Sequence, residues 1–328
     1  MKIMVFNVAA DGGGALTILN QYYKEAIREK KKTWFFIIST PKLVDADNVK
    51  VLRYPWVKKS WFHRLYFDYF VAHRIIKKYE VDEILSLQNI ILPNISIKQT
   101  LYLHQSLPFA EKRYSITESY KLWIYQNVIS QMIFKSIRNA DQVIVQTYWM
   151  KEACIRKTNV SADKIVVVPP KFNIKIKESY MPNDRNFQLF FYPANAYLYK
   201  NHKIIVEAVE LLKKHGYENY RVILTIHGNE NKNIKQIFET VKNKALPIDF
   251  IGKIPIEDVY DYYSKSILIF PSYIESFPLP LLEAKAHRSP IIVSNCAFSH
   301  EVLDDYENVQ FFDPFNSVSL YKIMKDVL

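Results

Sequence analysis

Ile269-Phe270-Pro271-Ser272-Tyr273-Ile274-Glu275-Ser276-Phe277-Pro278-Leu279-Pro280-Leu281-Leu282-Glu283-Ala284 is the stretch from which the rest of the chain is read. The apolar run 266–270 predicts a buried strand. A polar loop over 271–277 follows it. Pro278, Leu279 and Pro280 then open a helix, because proline lacks only an N–H that a first helical turn leaves unbonded. Leu281, Leu282 and Ala286 are expected to face a core. The amides near Leu279 and Leu281 are expected to be open donors at the positive end of the helix, a seat for phosphate. Ser276, Phe277, Pro278, Leu279 and Pro280 are therefore candidate donor-binding residues. Glu275 and Glu283 bracket the seat with seven residues between them. Carboxylates there suit hydroxyls of a sugar or ribose, as acceptors, better than they suit the phosphate itself.

Strand, polar loop, proline-started helix and paired glutamates together resemble the E-x7-E signature of family 4 retaining glycosyltransferases of the GT-B fold. The family pattern P-S-x-x-E-x-x-x-L-P-x-x-E-A stands here as P-S-Y-I-E-S-F-P-L-P-L-L-E-A. The resemblance implies an α/β protein of GT-B architecture, two Rossmann-like doubly wound domains facing across a cleft. It implies transfer of a sugar from a nucleotide-diphosphate donor to a hydroxyl acceptor, with no cofactor and no metal. In that setting Glu283 would hold the ribose and Glu275 the sugar hydroxyls.

Composition sets the frame. The 328 residues are 49% hydrophobic, enough for two packed cores, and no apolar run approaches a membrane span. The opening Met1-Lys2-Ile3-Met4-Val5-Phe6-Asn7 reads as a first strand and not as a signal peptide. Cys154 and Cys296 stand far apart and fit buried free thiols of a cytosolic protein. Residues 1–170 hold 25 Lys and Arg against 14 Asp and Glu, while residues 171–328 hold 19 against 19. The whole excess of +11 therefore lies in the first half, which points to an anionic partner for that half.

In chain order, a strand over 2–8 leads into Asp11-Gly12-Gly13-Gly14-Ala15 and a helix to about residue 30. Three of the six glycines in the chain stand here, where the backbone approaches a ligand closely or makes a plain tight turn. The spacing is not G-x-G-x-x-G, so the dinucleotide fingerprint fails. The resemblance implies that Gly13 and Gly14 face the donor. Strands follow over 33–40 and 49–54. Asp45-Ala46-Asp47 between them lies in a polar connection, so the metal-binding D-x-D reading is set aside.

Segment 58–79 interleaves Trp61, Phe62, Tyr66, Phe67, Tyr69 and Phe70 with Lys58, Lys59, Arg64, Arg74, Lys77 and Lys78. It fits an interfacial helix on an anionic membrane. It also fits a nucleic-acid stacking surface, or an amphipathic helix with its aromatics packed inward. Strands over 82–87 and 99–103 come next, the second ending at His104. The family commonly places a histidine at this strand end to contact the donor sugar, so His104 joins Glu275 as a candidate catalytic residue.

A helical stretch over 115–139 and strands over 142–146 and 164–169 close the first domain, residues 1–170, which the resemblance implies is the acceptor-binding one. Residues 171–185 are polar and proline-marked and read as a linker. The second domain, 186–328, restarts with a strand over 187–192. Here the family carries an Arg and a Lys, five apart, on the donor diphosphate. Lys200 matches the lysine, and Asn195 stands where the arginine is expected. A strand over 221–226 leads to Gly228, and 247–251 leads to Lys253, where the family cradles the nucleotide base. A strand over 290–294, a loop over 295–299 and a helix over 316–328 complete the chain. Many GT-B enzymes add a longer helical tail that crosses back onto the first domain.

The expected activity is a metal-independent retaining glycosyltransferase of bacterial lipopolysaccharide, O-antigen or capsule synthesis. Its partners would be a nucleotide-sugar donor, a saccharide or polyprenyl-pyrophosphate-linked acceptor and an anionic membrane surface, with no nucleic acid. It would be cytoplasmic, peripheral on the inner face of the cytoplasmic membrane. A GT-B-fold sugar-nucleotide epimerase and a non-catalytic basic protein binding nucleic acid or membrane are the alternatives.

Overall fold

The computed structural model describes residues 1–10, 12–171, 174, 176, 178–181 and 187–328. The chain divides into two compact units, Met1–Lys171 and Phe172–Leu328. Most of the expected linker, 171–185, and the first residue of the expected second domain lie outside the described residues.

The first unit is built on β1 (Lys2–Asn7), β2 (Thr33–Ile38), β3 (Val49–Arg53), β4 (Glu83–Ser86), β5 (Lys98–Leu103), β6 (Gln142–Val145) and β7 (Ile165–Val167). They form one sheet in the order β3-β2-β1-β4-β5-β6-β7, and every pairing is parallel. Parallel strands need crossover helices, which cover both faces and make the strands apolar throughout. β1 shows this directly. Met4 and Phe6 pack on one face with Phe35, Ile37 and Phe67, and Val5 packs on the other with Phe36, Ile38 and Leu19.

The second unit carries β8 (Gln188–Tyr192), β9 (Tyr220–Leu224), β10 (Ile248–Phe250), β11 (Ile267–Phe270), β12 (Ile291–Ser294) and β13 (Val309–Phe312). Their order is β10-β9-β8-β11-β12-β13, again all parallel. Counted within the unit, this is the doubly wound order 3-2-1-4-5-6. The strand order reverses between β8 and β11 here, and between β1 and β4 in the first unit. Loops leaving those strand ends diverge to opposite faces and open a crevice, the place where such sheets bind ligands. Two doubly wound parallel sheets are what the resemblance implies.

Three expectations shift on the fold. The expected loop 295–299 is mostly helix, Ala297–Leu303, and β13 follows it where no strand is expected. Of the three residues expected to face the core in the helix Leu279–Ala286, only Leu281 is buried, together with Ala284. Cys154 is buried as expected, but Cys296 is only half-buried; neither is joined in a disulfide among the described residues.

Segment 58–79 divides into the helix Trp61–Tyr66, a π-helical turn Phe67–Val71 and the helix Ala72–Tyr79. Its inward face is Phe67, Ala72, Ile75 and Ile76. Trp61, Phe62, Tyr66, Tyr69 and Phe70 are exposed, Phe62 by 83%. The inward-packed reading therefore holds for one aromatic of six. Two of its cations are engaged within the fold: Lys58 Nζ donates to Ala10 O at 2.9 Å and to Thr40 Oγ1 at 2.7 Å, and Arg64 Nε to Asp68 Oδ2 at 2.7 Å.

Candidate active site

At the switch point of the second sheet, the loop after β8 supplies Lys200 and the loop after β11 supplies Ser272 and Glu275. Lys200 Nζ lies 2.5 Å from Glu275 Oε1, and the two side chains are only 12% and 15% exposed. Ser272 Oγ donates to the same carboxylate oxygen at 2.5 Å. The ammonium also stands 5.6 Å from the Phe270 ring centre, where the ring quadrupole attracts a cation.

The backbone under Lys200 is held in place. Tyr192 Oη donates to Lys200 O at 2.8 Å. Asn201 takes a left-handed φ of 57° and its Nδ2 donates to Pro314 O at 2.8 Å. A partly buried pair of this kind gains more from its charges than an exposed one. It also holds a cation ready at the switch point.

The tip itself departs from expectation. Leu279 N–H donates to Phe277 O at 3.1 Å and Leu281 N–H to Pro278 O at 3.0 Å, so neither amide is an open donor in this conformation. Pro278 and Pro280 have no N–H. What remains is the positive end of the helix dipole. Glu283, one turn in, accepts from Tyr263 Oη at 3.2 Å, and burial raises its carboxyl above the usual carboxylate range. Ser276, Phe277, Pro278, Leu279 and Pro280 lie between the two glutamates, half-buried except for the buried Pro278.

Asn195 and Lys253, both exposed, line one cavity of about 520 Å³ with Thr225, His227 and Glu230. It lies beyond the carboxyl ends of β8, β9 and β10. Burial works to raise the Glu230 carboxyl, but backbone N–H groups outweigh it and hold it low. Two of these donors are His227 N at 2.5 Å and Gly228 N at 3.1 Å. Gly228 has φ 94°, and a Cβ there would stand 2.4 Å from the Phe238 ring. The glycine serves the close packing of this loop.

The remaining expected residues belong to the first unit. Gly13 has φ 58° and, with Gly14, opens the helix Gly13–Arg28; a Cβ at either would meet nothing within 4 Å. Asp11 lies outside the described residues. His104 ends β5. Its N–H donates to Asn89 Oδ1 at 2.9 Å, and its Nε2 is 3.3 Å from Asn89 Nδ2. Nδ1 is buried with no partner among the described residues, and burial lowers the pKa to about 4. The imidazole is therefore neutral at pH 7.

The structure thus joins Lys200 to Glu275 and Asn195 to Lys253. The sequence reading missed Ser272, Glu230, Tyr263 and Asn89. Ser272 stood inside the quoted motif, and Glu230 follows a strand end by a few residues. Tyr263, on the helix Ile256–Lys265, carries no local signal. Among the described residues no three His, Cys, Asp or Glu gather as a metal site, and no helix is long and apolar enough to cross a membrane.

Residues 175–328 match the family Glycosyl transferases group 1. An O-antigen chain mannosyltransferase, RfbU of Salmonella typhimurium, is 22% identical over 300 residues, covering 90% of this chain and 78% of the relative. The apo structure of the lipopolysaccharide outer core galactosyltransferase WaaB superposes with a TM-score of 0.70 at 17% identity, over 100% of this chain and 90% of that one. Anabaena HepE, solved in complex with UDP-glucose, superposes with a TM-score of 0.67 at 16% identity, over 99% and 89%.

Proposed function

We propose that this chain, a glycosyltransferase of the GT-B fold whose second unit is a group 1 domain, moves a sugar with retention from a nucleotide-diphosphate donor to a hydroxyl of a lipid-linked saccharide. The product would belong to lipopolysaccharide or O-antigen synthesis. The observation that carries the reading is the Lys200–Glu275 pair at the switch point of the second sheet. The relative that makes O-antigen and the neighbours that act on lipopolysaccharide or hold UDP-glucose support it.

In this reading the donor diphosphate takes over Lys200. Glu275, released from the ammonium, accepts hydrogen bonds from sugar hydroxyls. Glu283 accepts from the ribose. Charge that builds on the departing diphosphate is met by Lys200 and by the positive end of the helix Leu279–Ala286, so the stabilisation grows toward the transition state. These two charges make the reading a metal-independent one. No side chain is assigned as a covalent nucleophile, and the departing phosphate assists attack from the same face. Neutral His104, in the first unit, orients the sugar by hydrogen bonding without adding a charge. The exposed aromatics of the helix Trp61–Tyr66 and the turn Phe67–Val71, with exposed Lys59, Arg74, Lys77 and Lys78, would hold the enzyme on the anionic inner face of the membrane.

The test is a thermal-shift screen of UDP-, GDP-, ADP- and CMP-sugars against the parent and Lys200→Ala. One donor class should raise Tm by mass action. Lys200→Ala should lose turnover with that donor by about 10²–10³-fold, the cost of removing one donor aimed at developing negative charge. Undiminished turnover in Lys200→Ala would end the reading.

A further inference from the structure

Tyr263 meets Glu283 across two helices, Ile256–Lys265 and Leu279–Ala286, and no other side chain bonds that carboxylate among the described residues. We propose that Tyr263 is a positioning residue for the donor: its hydroxyl, bonded to Oε2 of Glu283, holds the carboxylate as an acceptor and leaves Oε1 for the ribose. The proposal rests on the glycosyl-transfer reading and adds the residue that sets the state of its ribose acceptor.

Tyr263 Oη donates to Glu283 Oε2 at 3.2 Å, and packing fixes where that donor points. The tyrosine is fully buried, its ring centre 5.8 Å from that of Phe191, edge to face, and 5.7 Å from that of His287. Its carbonyl accepts from Ser289 Oγ at 2.6 Å, three residues past the end of the Glu283 helix. One tyrosine is thus tied both to Glu283 and to the chain that leaves its helix. A ring already held by its neighbours loses no further freedom in aiming its hydroxyl. The proton is fixed as well. Burial, and then the Glu283 charge, push the Tyr263 hydroxyl well above its ordinary value, so it remains a donor at every working pH.

The carboxylate needs that donor. Burial raises Glu283, and the Tyr263 hydrogen bond works the other way by favouring the charged form. An ionised carboxylate only accepts, which suits a ribose hydroxyl that donates. A protonated one is a weaker acceptor and brings a donor of its own. The other neighbours do not replace Tyr263. Tyr260 stands on the same helix, 6.5 Å from Tyr263 between ring centres, with no bond to Glu283. His287, one turn on from Glu283, gives Nδ1 to the Glu283 backbone oxygen at 2.8 Å. Toward the helix Ala297–Leu303, Lys285 donates to Asp305 Oδ1 and to Val302 O. In that helix His300 is bonded to Asn295 Oδ1 at 2.7 Å and Glu301 is exposed, and β12 carries no titratable side chain.

The test is steady-state turnover of the donor class found in the thermal-shift screen, followed between about pH 5 and 9. The proteins are the full-length parent, Tyr263→Phe, Glu283→Gln, the double variant and Tyr260→Phe. At about pH 6, KM for the donor should rise about tenfold in Tyr263→Phe, the worth of one hydrogen bond to a charged group. The rate kcat should hold, because a ribose contact is made equally before and in the transition state. The deficit should shrink as pH rises, since alkali re-ionises the unbonded carboxyl. The acid limb of kcat/KM therefore moves up by about one pH unit per tenfold. In the Glu283→Gln background Tyr263→Phe should add nothing, because it acts through the carboxylate. Tyr260→Phe should leave the profile where it stands. A packing role would give Tyr263→Phe the same deficit at every pH and in both backgrounds, and that result would overturn the proposal. A parent that turns over no donor fails the transfer reading and this proposal together. A parent that does, with Tyr263→Phe indistinguishable from it, fails this proposal alone.

Discussion

His202 packs beside Tyr192, ring centres 5.1 Å apart, and neither of its nitrogens has a partner among the described residues. Burial, with Lys200 nearby, lowers its pKa from 6.5 to about 3. A base whose folded pKa lies below the unfolded value takes up a proton on unfolding, so stability falls as pH drops below 6.5. At pH 5 the loss from this group is about 2 kcal/mol. His202→Phe keeps a ring on Tyr192 and should flatten the decline in Tm between pH 6.5 and 4; parallel curves for parent and variant would contradict the assignment. Glycines make a second comparison. Gly216, φ 83°, would carry a Cβ into open space, whereas a Cβ on Gly228 would press on Phe238. Gly216→Ala should cost about 1–2 kcal/mol for the left-handed backbone alone. Gly228→Ala should add about 1–3 kcal/mol of overpacking, read as a larger drop in thermal midpoint. The sequence marks Gly228 as a strand-end glycine, but Phe238 reaches it from ten residues on, so only the fold supplies the reason.

The helix Leu279–Ala286 is legible as an element because two prolines and a flanking apolar run point to one start. Its amide donors are not legible, because Leu279 and Leu281 spend them inside the turn, a detail of φ and ψ that residue type leaves open. The same divide runs through the helix Trp61–Tyr66 and the turn that follows. Their composition admits an inward or an outward aromatic face. The sheet behind them has room for Phe67, packed 6.4 Å from Phe6, and the other rings remain outside. Phe62→Ser with Phe70→Ser should weaken flotation with anionic liposomes by about tenfold or more, since each ring contributes roughly 1.5–3 kcal/mol when buried in an apolar phase. Tm and nucleotide-sugar binding should stay unchanged. Flotation equal to the parent's would remove the membrane reading. The strand Val309–Phe312 went unread for a simpler reason: four residues between polar neighbours give almost no periodic signal, and its register against β12 makes it a strand.

Each unit has its own parallel sheet and its own buried side chains, Phe6 and Phe36 in one and Phe190, Phe191 and Phe270 in the other. The charge divides as sharply, +11 over residues 1–170 and zero over 171–328. If the nucleotide-sugar seat lies within the second unit, calorimetry should resolve a transition that rises with donor concentration, by about 2.7 kcal/mol at a hundredfold excess over Kd. The transition of the first unit should hold still. In Gln88→Leu, which removes two buried side-chain atoms with no partner among the described residues, that first transition should hold or rise. Donor that raised only the first unit's transition would place the seat in the wrong half of the chain.

Local chemistry settles the class of the molecule. Apolar runs with crossover-length spacing dictate parallel doubly wound sheets, and a strand, polar loop and proline-started helix place two glutamates at a strand end. Those signals act within a few residues of one another, so the sequence alone carries them. Tertiary structure decides the partners. Lys200 meets Glu275 across 75 positions, and Tyr263 meets Glu283 across 20. The Gln88 carboxamide and one carboxylate oxygen of Asp68, from separate elements, line one cavity with no partner among the described residues. Such pairings, and such vacant hydrogen bonds, depend on how strand order brings distant loops to one edge of a sheet. Burial then fixes their energies, and no stretch of sequence states how deeply its own side chains lie.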